Sequence, residues 1–152
     1  MKLIVLNTWG GRAGNGIIDF TQKYHDADIF LFQEVFHQGI QRTNFTRKAK
    51  TELFEELARA LPNHVGYFAP VQFNDWGLAA FVKRTITVKN VDDIFVYRYR
   101  DALEGQNGAT LGRSIQYLQL QTPESQTFYA LNFHGLWNGQ GKSDSPGVDP
   151  VH

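Results

Sequence analysis

Residues 28–35 read Asp-Ile-Phe-Leu-Phe-Gln-Glu-Val. The run Ile29-Phe30-Leu31-Phe32 is apolar at odd and even positions alike. A strand of that kind needs cover on both faces, as in a sheet buried between two layers. Upstream, residues 2–8 form a second apolar, β-branched run, followed by Gly10, Gly11, Gly14 and Gly16. Residues 15–26 carry Ile17, Ile18, Phe20 and Tyr24 near helical spacing, with Asn15 placed as an N-cap. Strand, helix, strand within about 35 residues predicts a parallel β pair joined by a helical crossover.

Downstream the clearest helix is expected over 46–61, where Leu53, Phe54, Leu57, Ala58 and Leu61 make an apolar stripe. Thr46 can cap its start and Pro62 stops it. Short strands are then predicted at 64–72, 76–84, 86–91, 93–100, 112–121 and 126–133. A polar, glycine-containing loop, 101–111, separates two of them and has the length of a functional loop. From Gly135 onward glycine, serine and proline crowd the sequence, and 143–152 reads as a flexible tail or a truncation. There is no internal repeat and no linker that would divide the chain in two.

Three of these runs share a second property. Leu3-Ile4-Val5-Leu6 ends in Asn7, Ile29-Phe30-Leu31-Phe32 ends in Gln33-Glu34, and Phe128-Tyr129-Ala130-Leu131 ends in Asn132-Phe133-His134. Polar side chains at the ends of buried strands must pair with one another or with a ligand. In α/β sheets, ligand sites lie beyond the carboxyl ends of strands. An amide, a carboxylate and an imidazole meeting there would supply a hydrogen-bond donor, a hard oxygen ligand and a proton-transfer group. That set suits phosphate chemistry with Mg²⁺ or Mn²⁺. The bland readings are a capping carboxylate for Glu34, a turn residue for Asn7 and a satisfied core histidine for His134.

The stretches "LNTWGG" (6–11), "DIFLFQEV" (28–35) and "LNFHGLW" (131–137) resemble, in order and spacing, the first signature stretches of the endonuclease/exonuclease/phosphatase superfamily. "WGLAAFVKR" (76–84) and "GRSIQYLQL" (112–120) resemble the strands between them. The resemblance covers 1–142 and implies an α/β (α+β) chain of DNase I-like fold. That fold is a four-layer α/β/β/α sandwich, of which this chain would supply roughly the first half, one mixed sheet with its helices. It further implies Glu34 as metal ligand for Mg²⁺ or Mn²⁺, and Asn7 and His134 as catalytic groups at the scissile phosphate. Arg113 and Asn132 match positions at the substrate, Arg113 as a phosphate contact and Asn132 as a group that could also orient its neighbours. The family's later Gly-Asp-Phe-Asn-like strand and its Asp-His pair have no counterpart here.

Two functions stay open at this stage. One is a metal-dependent hydrolase of phosphate esters, acting on nucleic acid, a phosphoinositide or another phospholipid headgroup, or a different phosphodiester. The other is a catalytically incompetent half-domain that binds a metal ion weakly or assembles with a partner, its uncovered sheet face inviting self-association. Formal net charge is zero, which gives no push toward DNA. There is no cysteine, so thiolate metal sites, cysteine nucleophiles and disulfides are excluded. The apolar run after Met1-Lys2 is too short for a signal-peptide core, and no stretch approaches the ~18–20 apolar residues of a membrane span. The expectation is a cytoplasmic protein. Trp9 and Trp137 flank the expected site and are read as core. Asn74 and Asp75 precede a strand and could either reach the cleft or serve as turn residues. Arg42, Arg47, Lys48 and Lys50 are read as a solvated helix start.

Overall fold

The computed structural model describes residues 1–40, 46–100 and 112–135. Its elements are β1 (Leu3–Asn7), a 3₁₀ turn (Trp9–Gly11), α1 (Gly16–Lys23), β2 (Ile29–Phe36) and α2 (Leu53–Ala60). Strands β3 (His64–Gln72), β4 (Trp76–Lys83), β5 (Thr87–Tyr97), β6 (Arg113–Gln121) and β7 (Thr127–Phe133) follow. They form a mixed four-stranded sheet in the order β1-β2-β4-β3 and an antiparallel three-stranded sheet, β5-β6-β7. The expected parallel pair is present, with Leu3 opposite Ile29 and Asn7 opposite Gln33.

Strand β2 explains the layering. Phe30, Phe32 and Val35 pack with Ile17 of α1 and with Leu53 and Leu57 of α2. Ile29 and Leu31 point the other way, into Leu118, Leu120 and Ala130 of the second sheet. Each face therefore has its own apolar cluster, which is why this stretch has no polar parity until Gln33. The result is three layers, helices on a mixed sheet on a second sheet. The sequence reading had one sheet; a portion of the second is here too.

The double cover does not extend to β1 and β7. Leu3 and Val5 are 49% and 60% exposed, because β1 is an edge strand that projects beyond the second sheet. Tyr129, Leu131 and Phe133 are exposed because the outer face of the second sheet has no layer over it among the described residues.

Two expected boundaries shift. The predicted strands 86–91 and 93–100 are one strand, β5, with irregularities between Val88 and Asn90 and between Phe95 and Tyr97. Asp92, which fell between the two predicted strands, sits in register opposite Tyr117, and Asp93 sits opposite Gln116. The second helix begins at Leu53 rather than at 46. The Lys50 amide bonds to the Gly10 carbonyl and the Gly39 amide to the Thr51 carbonyl, so this backbone is docked on neighbouring loops. Lys48 has φ of +60°, which also interrupts a helix. Asn15 occupies the cap position of α1 but makes no side-chain capping bond. The loop 101–111, the tail 143–152, Arg42 and Trp137 lie outside the described residues.

One glycine is dictated by proximity. A Cβ on Gly77 would collide with the Ala69 carbonyl oxygen on the adjoining strand. No helix among the described residues is long and apolar enough to cross a membrane.

Candidate functional site

Asn7, Glu34 and His134 converge. The Asn7 Nδ2 donates to Glu34 Oε1 at 3.1 Å and lies 3.3 Å from His134 Nε2. His134 Nε2 is 3.4 Å from Glu34 Oε1. Parallel pairing of β1 with β2 brings the first two together, and β7 delivers the third from the opposite sheet.

The orientation of Asn7 is set locally. Its Oδ1 accepts a 2.8 Å bond from the Trp9 amide, closing a turn. A backbone N–H can only donate, so the amide's oxygen end is fixed and Nδ2 must face Glu34 and His134. The turn reading of Asn7 and the site reading are therefore both satisfied by one side chain. Trp9, read as core, is largely exposed beside it.

His134 is mostly enclosed. Burial pulls its pKa below the ordinary histidine value, the Glu34 carboxylate pulls it back up, and the Arg113 guanidinium pushes it down again. Burial therefore favours the neutral ring. Its Nε2 can then accept from Asn7, which leaves the ring proton on Nδ1. Trp76 stands edge-on to the ring, with centroids 6.3 Å apart.

Glu34 sits on an irregularity. Between Phe32 and Val35 the register of β2 against β4 shifts, and Glu34 has φ of +58°. That conformation is uncommon outside glycine and costs about 1–3 kcal/mol unless the surroundings enforce it. A bulge at this point re-aims a side chain out of the strand's alternation. Glu34 thereby leaves the buried interior that Gln33 and Val35 occupy.

Two expected substrate contacts are placed differently. Asn132 is fully buried between the sheets. Its Nδ2 lies 3.0 Å from the Phe32 carbonyl, 3.2 Å from the Ala79 carbonyl and 3.2 Å from Gln116 Oε1, and its Oδ1 accepts from Gln33 Nε2 at 2.6 Å. With its polar atoms so engaged, it cannot reach a substrate. Arg113 is also buried. Its Nε donates to the Gly135 carbonyl at 2.9 Å and its Nη1 to the Gly112 carbonyl at 3.1 Å. It grips the backbone immediately after His134 instead of projecting into solvent.

The sequence reading missed Thr8. It is fully buried, and its hydroxyl lies 2.9 Å from both the Gln33 and the Glu34 carbonyls. Its one signal in sequence was its position next to Asn7. Asp75 accepts the Ile40 amide at 3.1 Å and Asn74 lies in a tight turn. Lys50 pairs with Glu56 at 2.6 Å, so that member of the basic cluster is not simply solvated.

No group of three or more His, Asp or Glu side chains among the described residues could cage a metal ion. Glu34 Oε2 has no hydrogen-bond partner among the described residues, and the carboxylate is partly exposed. One available carboxylate fits a Mg²⁺-type ion, which keeps most of its shell for water and phosphate oxygens.

No family model and no curated protein matches this chain. Solved structures do match it in fold. The endonuclease/exonuclease/phosphatase from Bacteroides vulgatus matches with a TM-score of 0.62 at 17% identity, over 87% of this chain and 51% of that one. A mannosyl-6-phosphatase from Bacteroides thetaiotaomicron matches with a TM-score of 0.55 at 22% identity, over 83% and 43%. Truncated TDP2 from Caenorhabditis elegans matches with a TM-score of 0.55 at 16% identity, over 88% and 44%. The chain therefore has the DNase I-like fold of endonuclease/exonuclease/phosphatase proteins. It spans about half the length of the structures it matches.

Proposed function

We propose that this chain carries the Asn-Glu-His part of a phosphate-ester hydrolysis site that works with Mg²⁺ or Mn²⁺. The observation behind this is the meeting of Asn7, Glu34 and His134 within 3.1–3.4 Å. They meet at the strand ends of a fold shared with a phosphatase and with TDP2. The Glu34 carboxylate would hold the ion, whose charge would neutralise phosphate oxygens. Asn7 keeps that carboxylate aligned with one Nδ2–H and sets the other against His134 Nε2. His134, its neutral form favoured by burial, would take the proton of the attacking water at Nε2 in exchange for its bond to Asn7, and Glu34 would steady the imidazolium so formed. Substrates compatible with this set are nucleic acid, a phospholipid headgroup and other phosphate esters. The net charge of zero gives no push toward DNA.

The test is hydrolysis of bis-p-nitrophenyl phosphate, single-stranded DNA and a phosphoinositide headgroup with and without Mg²⁺, in the wild type and in Glu34→Ala. Turnover that needs the metal and is abolished in the variant supports the reading. Robust turnover that ignores Glu34→Ala overturns it.

A second reading is favoured by the outer face of β5-β6-β7, where Ile94, Val96, Tyr129, Leu131 and Phe133 are exposed together. On this reading the chain is a catalytically incompetent half-domain that binds the ion weakly, or assembles with a partner or another copy through that face. Size-exclusion chromatography tests assembly with another copy: a monomer at high protein concentration argues against it.

A further inference from the structure

The left-handed backbone at Glu34 needs an explanation, since neither a glycine nor an asparagine occupies the position. Such a residue persists only where its surroundings over-determine it. Here two buried side chains, one just after β1 and one in β7, close on residues 32–34 from two sides.

From the β1 side comes Thr8. Its amide donates to the Gln33 carbonyl at 2.9 Å, and its hydroxyl proton is shared between the Gln33 and Glu34 carbonyls, each 2.9 Å away. From the second sheet comes Asn132. Its amide donates to the Phe32 carbonyl, and its Oδ1 accepts from the Gln33 side chain at 2.6 Å. Both residues have no exposed surface. The backbone carbonyls of Phe32, Gln33 and Glu34 are thus each bonded to a side chain that water does not reach.

We propose that Thr8 and Asn132 are positioning residues. They clamp the β2 bulge, fix Glu34 in its left-handed conformation and so aim its carboxylate at Asn7 and His134. The proposal deepens the metal-site reading above and rests on it for its consequence, though not for its geometry. The plainer alternative is that the two residues only satisfy buried polar groups and contribute general stability. Gln116 separates these cases. It bonds Asn132 at 3.2 Å and the Tyr67 carbonyl at 3.0 Å but touches none of the carbonyls of 32–34.

The experiment uses the full chain in four forms: wild type, Thr8→Val, Asn132→Ala and Gln116→Ala. Asn132→Leu keeps the approximate shape without donors or acceptor, and it replaces Asn132→Ala should that variant not fold. Thr8→Val is close to isosteric. Two quantities are read well below each melting temperature. The first needs no metal: the backbone chemical shifts and HN–Hα coupling of Glu34, with amide exchange at Glu34 and Val35. The second is Mn²⁺ affinity from the free-ion electron paramagnetic resonance signal.

Thr8→Val and the Asn132 variant are expected to lose the left-handed signature of Glu34 and to speed exchange there. Mn²⁺ binding in them is expected to weaken about 10–100-fold, as for other groups that orient a ligand. Gln116→Ala is expected to keep the signature and to shift Mn²⁺ affinity less than about twofold even where its melting temperature falls. An unchanged Glu34 signature in both clamp variants overturns the proposal. So does a Gln116→Ala protein that loses it equally at the same drop in melting temperature. If wild type binds no Mn²⁺ but the signature still depends on Thr8 and Asn132, the clamp stands and the metal reading falls.

Discussion

Asn7 and Glu34 are joined side chain to side chain, 3.1 Å from Nδ2 to Oε1, across two parallel strands. The bond is charge-assisted, and the turn bond at Asn7 Oδ1 leaves the amide no freedom to flip. Substituting Asn7 by Ala frees the Glu34 carboxylate to rotate without touching its charge. Mn²⁺ binding is then expected to weaken about 10–100-fold, the usual effect of removing a ligand's orienting partner. Equal Mn²⁺ affinity in Asn7→Ala and wild type, measured by calorimetry, removes Asn7 from the site.

His64 gives the fold a dependence on pH that is separate from the site. Its ring is buried at the start of β3, and its Nε2 donates to the Ala27 carbonyl at 2.8 Å. Burial lowers its pKa, and the bond to Ala27 only partly opposes that. Above about pH 6.5, the ordinary histidine value, the ring is neutral folded or unfolded and contributes no slope. As pH falls through that value, the unfolded chain takes up a proton that the folded ring refuses. Stability therefore declines until the folded ring is protonated as well, by at most about 1.4 kcal/mol per pH unit. Urea unfolding of wild type and His64→Asn across this range checks the point. An equally steep decline in the variant assigns it to other groups.

Gly77 lies where β4 passes closest to β3. Gly77→Ala puts a methyl against the Ala69 backbone, which cannot rotate away as a side chain would. The urea midpoint is expected to fall by the equivalent of about 2 kcal/mol or more. A midpoint within error of wild type means that the two strands can separate locally at no cost.

The outer face of the second sheet offers a test that should leave the fold alone. Leu131 is 63% exposed and points away from the apolar cluster between the sheets. Leu131→Lys is expected to change stability by less than about 0.5 kcal/mol. If this face mediates association, the variant elutes later than wild type in size-exclusion chromatography at high protein concentration. Identical elution of two larger species places the association elsewhere.

What could be read from residues was the part written in periodicity and order. The apolar runs of β1, β2 and β7, each closing on polar groups, located the three side chains that meet. The failures have one cause. Gln33, Glu34 and Val35 follow a run that is apolar on both parities, so an inserted residue disturbs no alternation and the bulge leaves no mark. Without the bulge there was no reason to look at Thr8, or to see Asn132 as anything but a neighbour of His134. The burial of Arg113 was hidden for a related reason. A basic residue at a strand start reads as exposed, and the carbonyls that bury it come from Gly112 and from Gly135 on another strand's exit. The division into two sheets was equally hidden, because alternation shows which face of a strand is apolar but not which neighbour lies on it.

Asn7 and His134 meet although 127 positions separate them along the chain. The pocket consequently comes into being only when the first and last described strands have both docked, each of them an edge. Edges fray before centres do. Affinity for an ion there would disappear ahead of the helical signal during gradual denaturation, turning ligand binding into an early alarm for loosening at the margins of the sandwich.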